Sequence, residues 1–166
     1  DIIYLIGTSK EELGGSEYLK TILGQTRGPV PELDLPFEKK MQDTLLGTIQ
    51  AGLVKSAHDI SDGGLAVALA ECCISNHEHQ IGATVKLNES IRPDCLLFGE
   101  TQSRVIVSTD AGRGAALEKA FAAKGVPITK IGTVGGSRLV VESLIDLPLA
   151  KLADGYYNAM PRFMEK

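Results

Sequence analysis

Two successive glycines, Gly63 and Gly64, stand between a short apolar approach (Leu53, Val54) and a helical repeat, and they constrain the fold more than any other feature. After them Leu65, Ala68, Leu69 and Cys72 recur at i, i+3, i+4 and i+7, the spacing of one helix face. The run His58-Asp59-Ile60-Ser61-Asp62-Gly63-Gly64-Leu65 therefore reads as a short strand, a glycine turn and the start of an amphipathic helix. The first amides of such a helix lack internal partners, and paired glycines let a ligand approach the backbone closely. That geometry makes an anion cradle for a phosphate, or for an ion held beside one. Helix capping and turn formation account for the same residues without any ligand. Asp59 and Asp62 would repel a bare phosphate, so the ligand version needs a cation bridged by one of them.

A second glycine-rich lead-in, Gly14-Gly15-Ser16, precedes another helical stretch. Two such turns in one small domain can face each other across a sugar phosphate. Glu100-Thr101-Gln102 leads into the apolar run after Ser103, where its side chains can bond an amide or a ribose, or form only a polar strand entrance. His77-Glu78-His79 lacks the second ligand pair that a structural zinc requires. Cys72 and Cys73 lie on or beside an apolar helix face, where cysteine behaves as a small hydrophobe. No nucleophile, base and orienting group can be assembled from the remaining residues.

Composition narrows the function classes. A net charge of −4, no Lys/Arg stripe and 5% aromatic residues argue against a nucleic-acid polymer as partner. No apolar run approaches the roughly 20 residues that span a bilayer, and no secretory signal is visible. Three cysteines do not make a disulfide framework, so a reducing, cytoplasmic setting is expected. The 166 residues suit one domain. The chain opens without Met, directly on Ile2-Ile3-Tyr4-Leu5-Ile6, as expected of a piece of a longer polypeptide.

The pattern along the chain predicts a buried strand over 2–6 and a short helix capped by Ser16. A Pro/Gly-rich linker over 24–36 and a helix over 37–51 follow, with Met41, Leu45, Leu46 and Ile49 on its apolar side. Beyond the second glycine turn come a helix over 64–75, a strand over 81–87, one helical turn at 93–99, a strand over 103–108 and a helix over 113–123. Residues 128–134 and 138–141 read as a hairpin around Gly135-Gly136-Ser137, and the tail from Asp146 as a weaker helix interrupted at Gly155 and Pro161. Five or six strands and four or five helices, with mixed connections, point to an α+β, three-layer α/β/α arrangement.

These motifs resemble a known family. GGSEYL from Gly14, AGLVKSAHDISDGGLAVALAE, LFGETQSRVIVS from Leu97, GVPITKIGTV and RLVVE are similar to the C-terminal part of the synthetase component of phosphoribosylformylglycinamidine synthase, in the aminoimidazole-ribonucleotide-synthetase superfamily. The resemblance covers nearly the whole chain. It implies the C-terminal-domain fold of that superfamily and a single C-terminal lobe over 1–166, split from a larger multidomain synthetase. It also implies an ATP-dependent amidoligase that converts formylglycinamide ribonucleotide to its amidine in purine biosynthesis. ATP activates the formamide oxygen as an iminophosphate, and ammonia from a separate glutaminase component displaces the phosphate. The implied partners are the N-terminal lobes of the same polypeptide, the glutaminase and the nucleotide substrate, with ATP and Mg²⁺ as cofactors.

By likeness between the two lobe copies of that family, Asp59 corresponds to a magnesium ligand, and Glu100, Thr101 and Gln102 to a Glu-Ser-Gln run that contacts substrate; Thr101 replaces the usual Ser. The resemblance thereby implies Ser61, Gly63, Gly64, Glu100 and Gln102 as substrate- or nucleotide-phosphate-binding residues, and the glycine turns read above add Gly14, Gly15, Ser16 and Asp62 to the same candidates. None is implied as catalytic, because the HDxSDGGL form marks the second, auxiliary copy, and the lobe alone is expected to be inactive. Selenophosphate synthetase and thiamine-phosphate kinase belong to the same superfamily and are the competing enzyme readings. A purely structural lobe is the competing reading from outside enzymology.

Overall fold

The computed structural model describes residues 1–165. Its centre is strand β1 (Ile2–Ile6), whose side chains alternate between two cores as the period of two demands. Ile3 and Leu5 enter one apolar cluster, while Tyr4 and Ile6 enter the other. β4 (Val105–Thr109) repeats the division, with Ile106 on the first side and Val105 and Val107 on the second. The sheet has seven strands in the order β2-β4-β1-β5-β3-β6-β7, where β2 is Ser56–Asp59, β3 Ala83–Val85, β5 Ile128–Val134, β6 Arg138–Val141 and β7 Ile145–Pro148. All neighbours are antiparallel except the parallel pair β3–β6.

Helices cover both faces, giving the expected three layers. On one face α3 (Gly64–Ile74) buries Leu65, Leu69 and Cys73, and α6 (Leu149–Tyr157) buries Leu149 and Ala153. On the other, α2 (Leu35–Gln50) and α5 (Gly114–Lys124) bury Met41, Leu117 and Phe121. The short helices are α1 (Glu17–Leu23), α4 (Pro93–Phe98) and α7 (Ala159–Met164), and a 3-10 turn over Ala111–Arg113 precedes α5. No helix among the described residues is long and apolar enough to cross a membrane.

Several local expectations are corrected. β5 and β6 do not form a hairpin, because β3 lies between them and pairs with both. Gly82 and Gly132 permit this insertion: a Cβ on Gly82 would lie 2.3 Å from the Arg138 carbonyl oxygen, and one on Gly132 would lie 2.1 Å from that of Thr84. The Gly135–Gly136 turn instead bonds to Gly82, which donates to Gly136 O and accepts from Gly135 N. The strand over 81–87 contracts to three residues, and β7 occupies the start of the tail that read as helix. The buried side of α2 runs through Met41, Thr44 and Thr48, leaving Leu46 and Ile49 exposed. Both threonines are accommodated because their hydroxyls donate to the Lys40 and Leu45 carbonyls within the helix. The strand before the glycine turn is Ser56–Asp59, while Leu53 and Val54 pack earlier against the α2/α5 core.

Candidate functional site: two helix starts joined by one carboxylate

The glycine turn after β2 has two consecutive left-handed residues, Gly63 at φ +82° and Gly64 at φ +70°, a conformation that side chains with a Cβ rarely adopt. Both are buried, whereas Asp59, Ser61 and Asp62 are exposed. Gly64 is also required by space. A Cβ there would stand 2.7–2.8 Å from backbone atoms of Leu97, Phe98 and Gly99, at the end of α4. The close approach that this glycine allows is therefore to the chain itself.

The first lead-in behaves similarly. A Cβ on Gly14 would lie 1.8 Å from the Pro29 carbonyl oxygen, so this glycine lets the 24–34 loop fold back over it. Gly15 (φ +73°) donates to Arg27 O at 3.0 Å and has open space beside its Cα. Ser16 is buried; its hydroxyl donates to Leu13 O (2.7 Å) and accepts from Leu19 N (3.4 Å), capping α1 as expected.

The two starts meet at Glu100. One carboxylate oxygen, Oε1, accepts from Gly63 N at 2.8 Å and from Glu17 N at 2.9 Å. A negative group thus sits at the positive ends of α1 and α3 together, where the helix dipoles favour it. Gly64 N is bonded locally, donating to Ser61 O at 3.0 Å. Gln102 is exposed and its amide turns back to donate to Glu100 O, so it does not join the glycines. Thr101 is buried, with its Oγ1 unpartnered. His58 is tied down from both ring nitrogens: Nδ1 lies 2.6 Å from Asp59 O, and Nε2 lies 3.3 Å from the Glu71 carboxylate.

Beside Glu17 and Gly63 lies a cleft of about 180 Å³, lined also by Tyr18, Val67 and Phe98. Tyr18 and Phe98 stack with ring centroids 4.8 Å apart. Pockets that enclose a small ligand typically run from roughly 300 Å³ upward, so this cleft is smaller than such a pocket. A larger concavity, about 670 Å³, lies far along the sheet between Thr84, Gly132, Glu142 and Asp146, away from the glycine turns. No group of three or more His, Cys, Asp or Glu among the described residues could hold a metal ion. Magnesium often uses only one or two protein carboxylates together with phosphate oxygens, a pattern that an exposed Asp59 suits. Burial pushes the Cys72 and Cys73 thiols up to about 11, which keeps them protonated and unreactive at neutral pH.

Residues 1–143 match the family described as AIR synthase related protein, C-terminal domain. The chain belongs to this family. The phosphoribosylformylglycinamidine synthase subunit PurL of Anaeromyxobacter sp. (strain Fw109-5) is 39% identical over 173 residues, covering 100% of this chain and 23% of that protein. The chain therefore spans about a quarter of the length of such relatives. Among solved structures, T. maritima PurL complexed with FGAR superposes with a TM-score of 0.76 at 21% identity, over 92% of this chain and 27% of that one. The same protein complexed with ATP gives 0.66 at 22% identity, over 92% and 25%. Thiamine-monophosphate kinase from Stenotrophomonas maltophilia gives 0.56 at 21% identity, over 86% and 50%. These structural likenesses establish the family fold, and the kinase shares it.

One residue of this site went unread in the sequence. Arg104 is buried and donates to the Gly99 and Thr101 carbonyls, beside Glu100. No sequence signal marked it, because Arg104 precedes β4 and both faces of that strand are core.

Proposed function

We propose that the chain is the C-terminal lobe of an ATP-dependent phosphoribosylformylglycinamidine synthase, which converts formylglycinamide ribonucleotide to its amidine in the cytoplasm. The observation that carries this reading is the PurL likeness along the whole chain, at an identity well above that of the shared fold. In this reading residues 1–166 form one lobe of a larger synthetase. The other lobes of the polypeptide complete the site, and a glutaminase component supplies ammonia. The lobe offers one wall, with Gly14, Gly15, Ser16, Ser61, Asp62, Gly63, Gly64, Glu100 and Gln102 as its phosphate-side residues. Asp59 would hold Mg²⁺, which supplies charge neutralisation for nucleotide phosphates. The small cleft supports a composite site, because it is too shallow to enclose a nucleotide alone.

The test is an assay of ATP-dependent amidine formation from formylglycinamide ribonucleotide and ammonia. The polypeptide carrying this chain is expected to turn over and the 166-residue chain alone is not. Failure of the first, or turnover by the second, overturns the reading.

A second reading is favoured by a specific observation: the space spared by Gly14 and Gly64 is filled by the chain itself, and Gly63 N is already bonded. In that reading the lobe is a scaffold. Calorimetry with ADP–Mg on the full chain and on Asp59→Ala separates the two. Heat that Asp59→Ala abolishes supports the binding wall, and equal, negligible heats support the scaffold.

A further inference from the structure

Arg104 is the only charged side chain in the buried set among the described residues, at 2% exposure. Burying a guanidinium is costly, and an apolar side chain of similar volume often serves packing as well or better. No carboxylate bonds to it. Its Nη2 donates to Gly99 O at 2.5 Å, its Nε to Thr101 O at 3.0 Å and its Nη1 to Ser9 Oγ at 3.2 Å. The first two acceptors are the peptide carbonyls on either side of Glu100. Its own carbonyl accepts from Ile60 N at 3.0 Å, one residue before the Ser61–Gly64 turn. Burial pushes the guanidinium down to about 10, against the raising influence of Glu12 and Glu89, and it stays charged at neutral pH.

The structure assigns Arg104 the role of positioning residue for Glu100: its planar fork fixes the 99–101 backbone so that one carboxylate oxygen reaches the amides of Gly63 and Glu17 together. A fork with several donors at set angles can hold two carbonyls at once, which a lysine ammonium on a flexible stem does less well. A methionine or leucine would fill the volume and hold neither. The assignment deepens the proposed reading, since it names what sets the spacing between the two helix starts in the ligand-facing wall. The clamp can be measured with no ligand present, so it fails independently of that reading.

The test is residue-resolved amide hydrogen exchange on the full chain, comparing wild type, Arg104→Lys, Glu100→Ala and the double variant. Arg104→Lys is expected to speed exchange at Glu17 and Gly63 by about tenfold, the equivalent of losing one hydrogen bond of ordinary net strength, while β1 and β4 amides keep their rates. Glu100→Ala is expected to do the same. The double variant should add less than about twofold to Glu100→Ala, because a residue that acts through another is not additive with it. Where Arg104→Lys does not fold, Arg104→Gln replaces it in the same comparison. The assignment is overturned if Glu17 and Gly63 keep their protection, if exchange rises equally across β1 and β4, or if the double variant multiplies the two single effects.

Discussion

The two glycine lead-ins look alike in sequence and close in different ways. At the first, the cap is local: Ser16 reaches Leu19 three residues on, as an N-cap serine does in any helix. At the second, Gly63 has no side chain with which to cap α3, and the acceptor comes from Glu100, 37 residues away. The same oxygen also takes the Glu17 amide, so the local cap and the remote one converge on a single short segment. A short helix can close its start with its own residues. A start whose glycines are needed for close packing must borrow its anion from elsewhere in the fold.

The largest effect should come from removing that close packing. Gly64→Ala adds a left-handed alanine, roughly 1–2 kcal/mol, and a contact below 3 Å with three backbone atoms that cannot swing aside. Together with overpacking of about 1–3 kcal/mol, a loss on the order of 3 kcal/mol or more is expected in denaturant unfolding. A loss under about 1 kcal/mol would show that α4 yields easily and that the second turn is not packing-limited.

Next in size is Glu100→Ala, which strips two amides of a charged acceptor. Hydrogen bonds to charged groups contribute roughly 1.5–3 kcal/mol, and at these part-buried helix starts the loss should stay local, about 1.4 kcal/mol of opening free energy, read as tenfold faster exchange at Glu17 and Gly63. Glu100→Gln keeps an acceptor and should cost about half as much, because neutral bonds are about half as strong. Equal losses for the two variants would mean that the charge at the paired helix starts contributes nothing.

Much of this arrangement was legible in the sequence, and the parts that were not share one physical cause. The β1 alternation, the Ser16 cap, the α3 start and the three-layer class follow from local periodicity and capping chemistry, which operate within a few residues. The insertion of β3 between β5 and β6 depends on which distant carbonyls crowd Gly82 and Gly132, and no pattern within 128–141 encodes it. Glu100 stood out as polar at a strand entrance, but its partners at positions 17 and 63 are long-range. The glycine turns were read as room for a ligand, and at Gly14 and Gly64 the group that comes close is the chain itself. Their spacing could not say whether the approaching group is a ligand or the chain itself.

Ser16→Ala sharpens the comparison from the other side. It removes one acceptor for Leu19 N and one donor for Leu13 O, and loss of such a cap costs about 1 kcal/mol. Because the Glu100 bond to Glu17 N survives, the loss should stay within α1, seen as faster amide exchange at Leu19 with Gly63 unchanged. Exchange rising at Gly63 too would mean that the two starts melt as one unit.

The smallest effect on stability should belong to Asp62, and it discriminates most between the binding and scaffold readings. Its side chain is exposed and caps nothing at the α3 start, so Asp62→Ala should change unfolding stability by less than about 0.5 kcal/mol. Glycine and Glu100 variants disturb the turn while removing candidate contacts, which mixes loss of fold with loss of ligand. Asp62→Ala leaves the Gly63 and Gly64 bonds in place and removes only a negative charge facing solvent. If phosphate with its cation binds at this turn, ADP–Mg affinity in the full polypeptide should shift measurably by calorimetry. If the turn is scaffold, stability and affinity should both remain at the wild-type value.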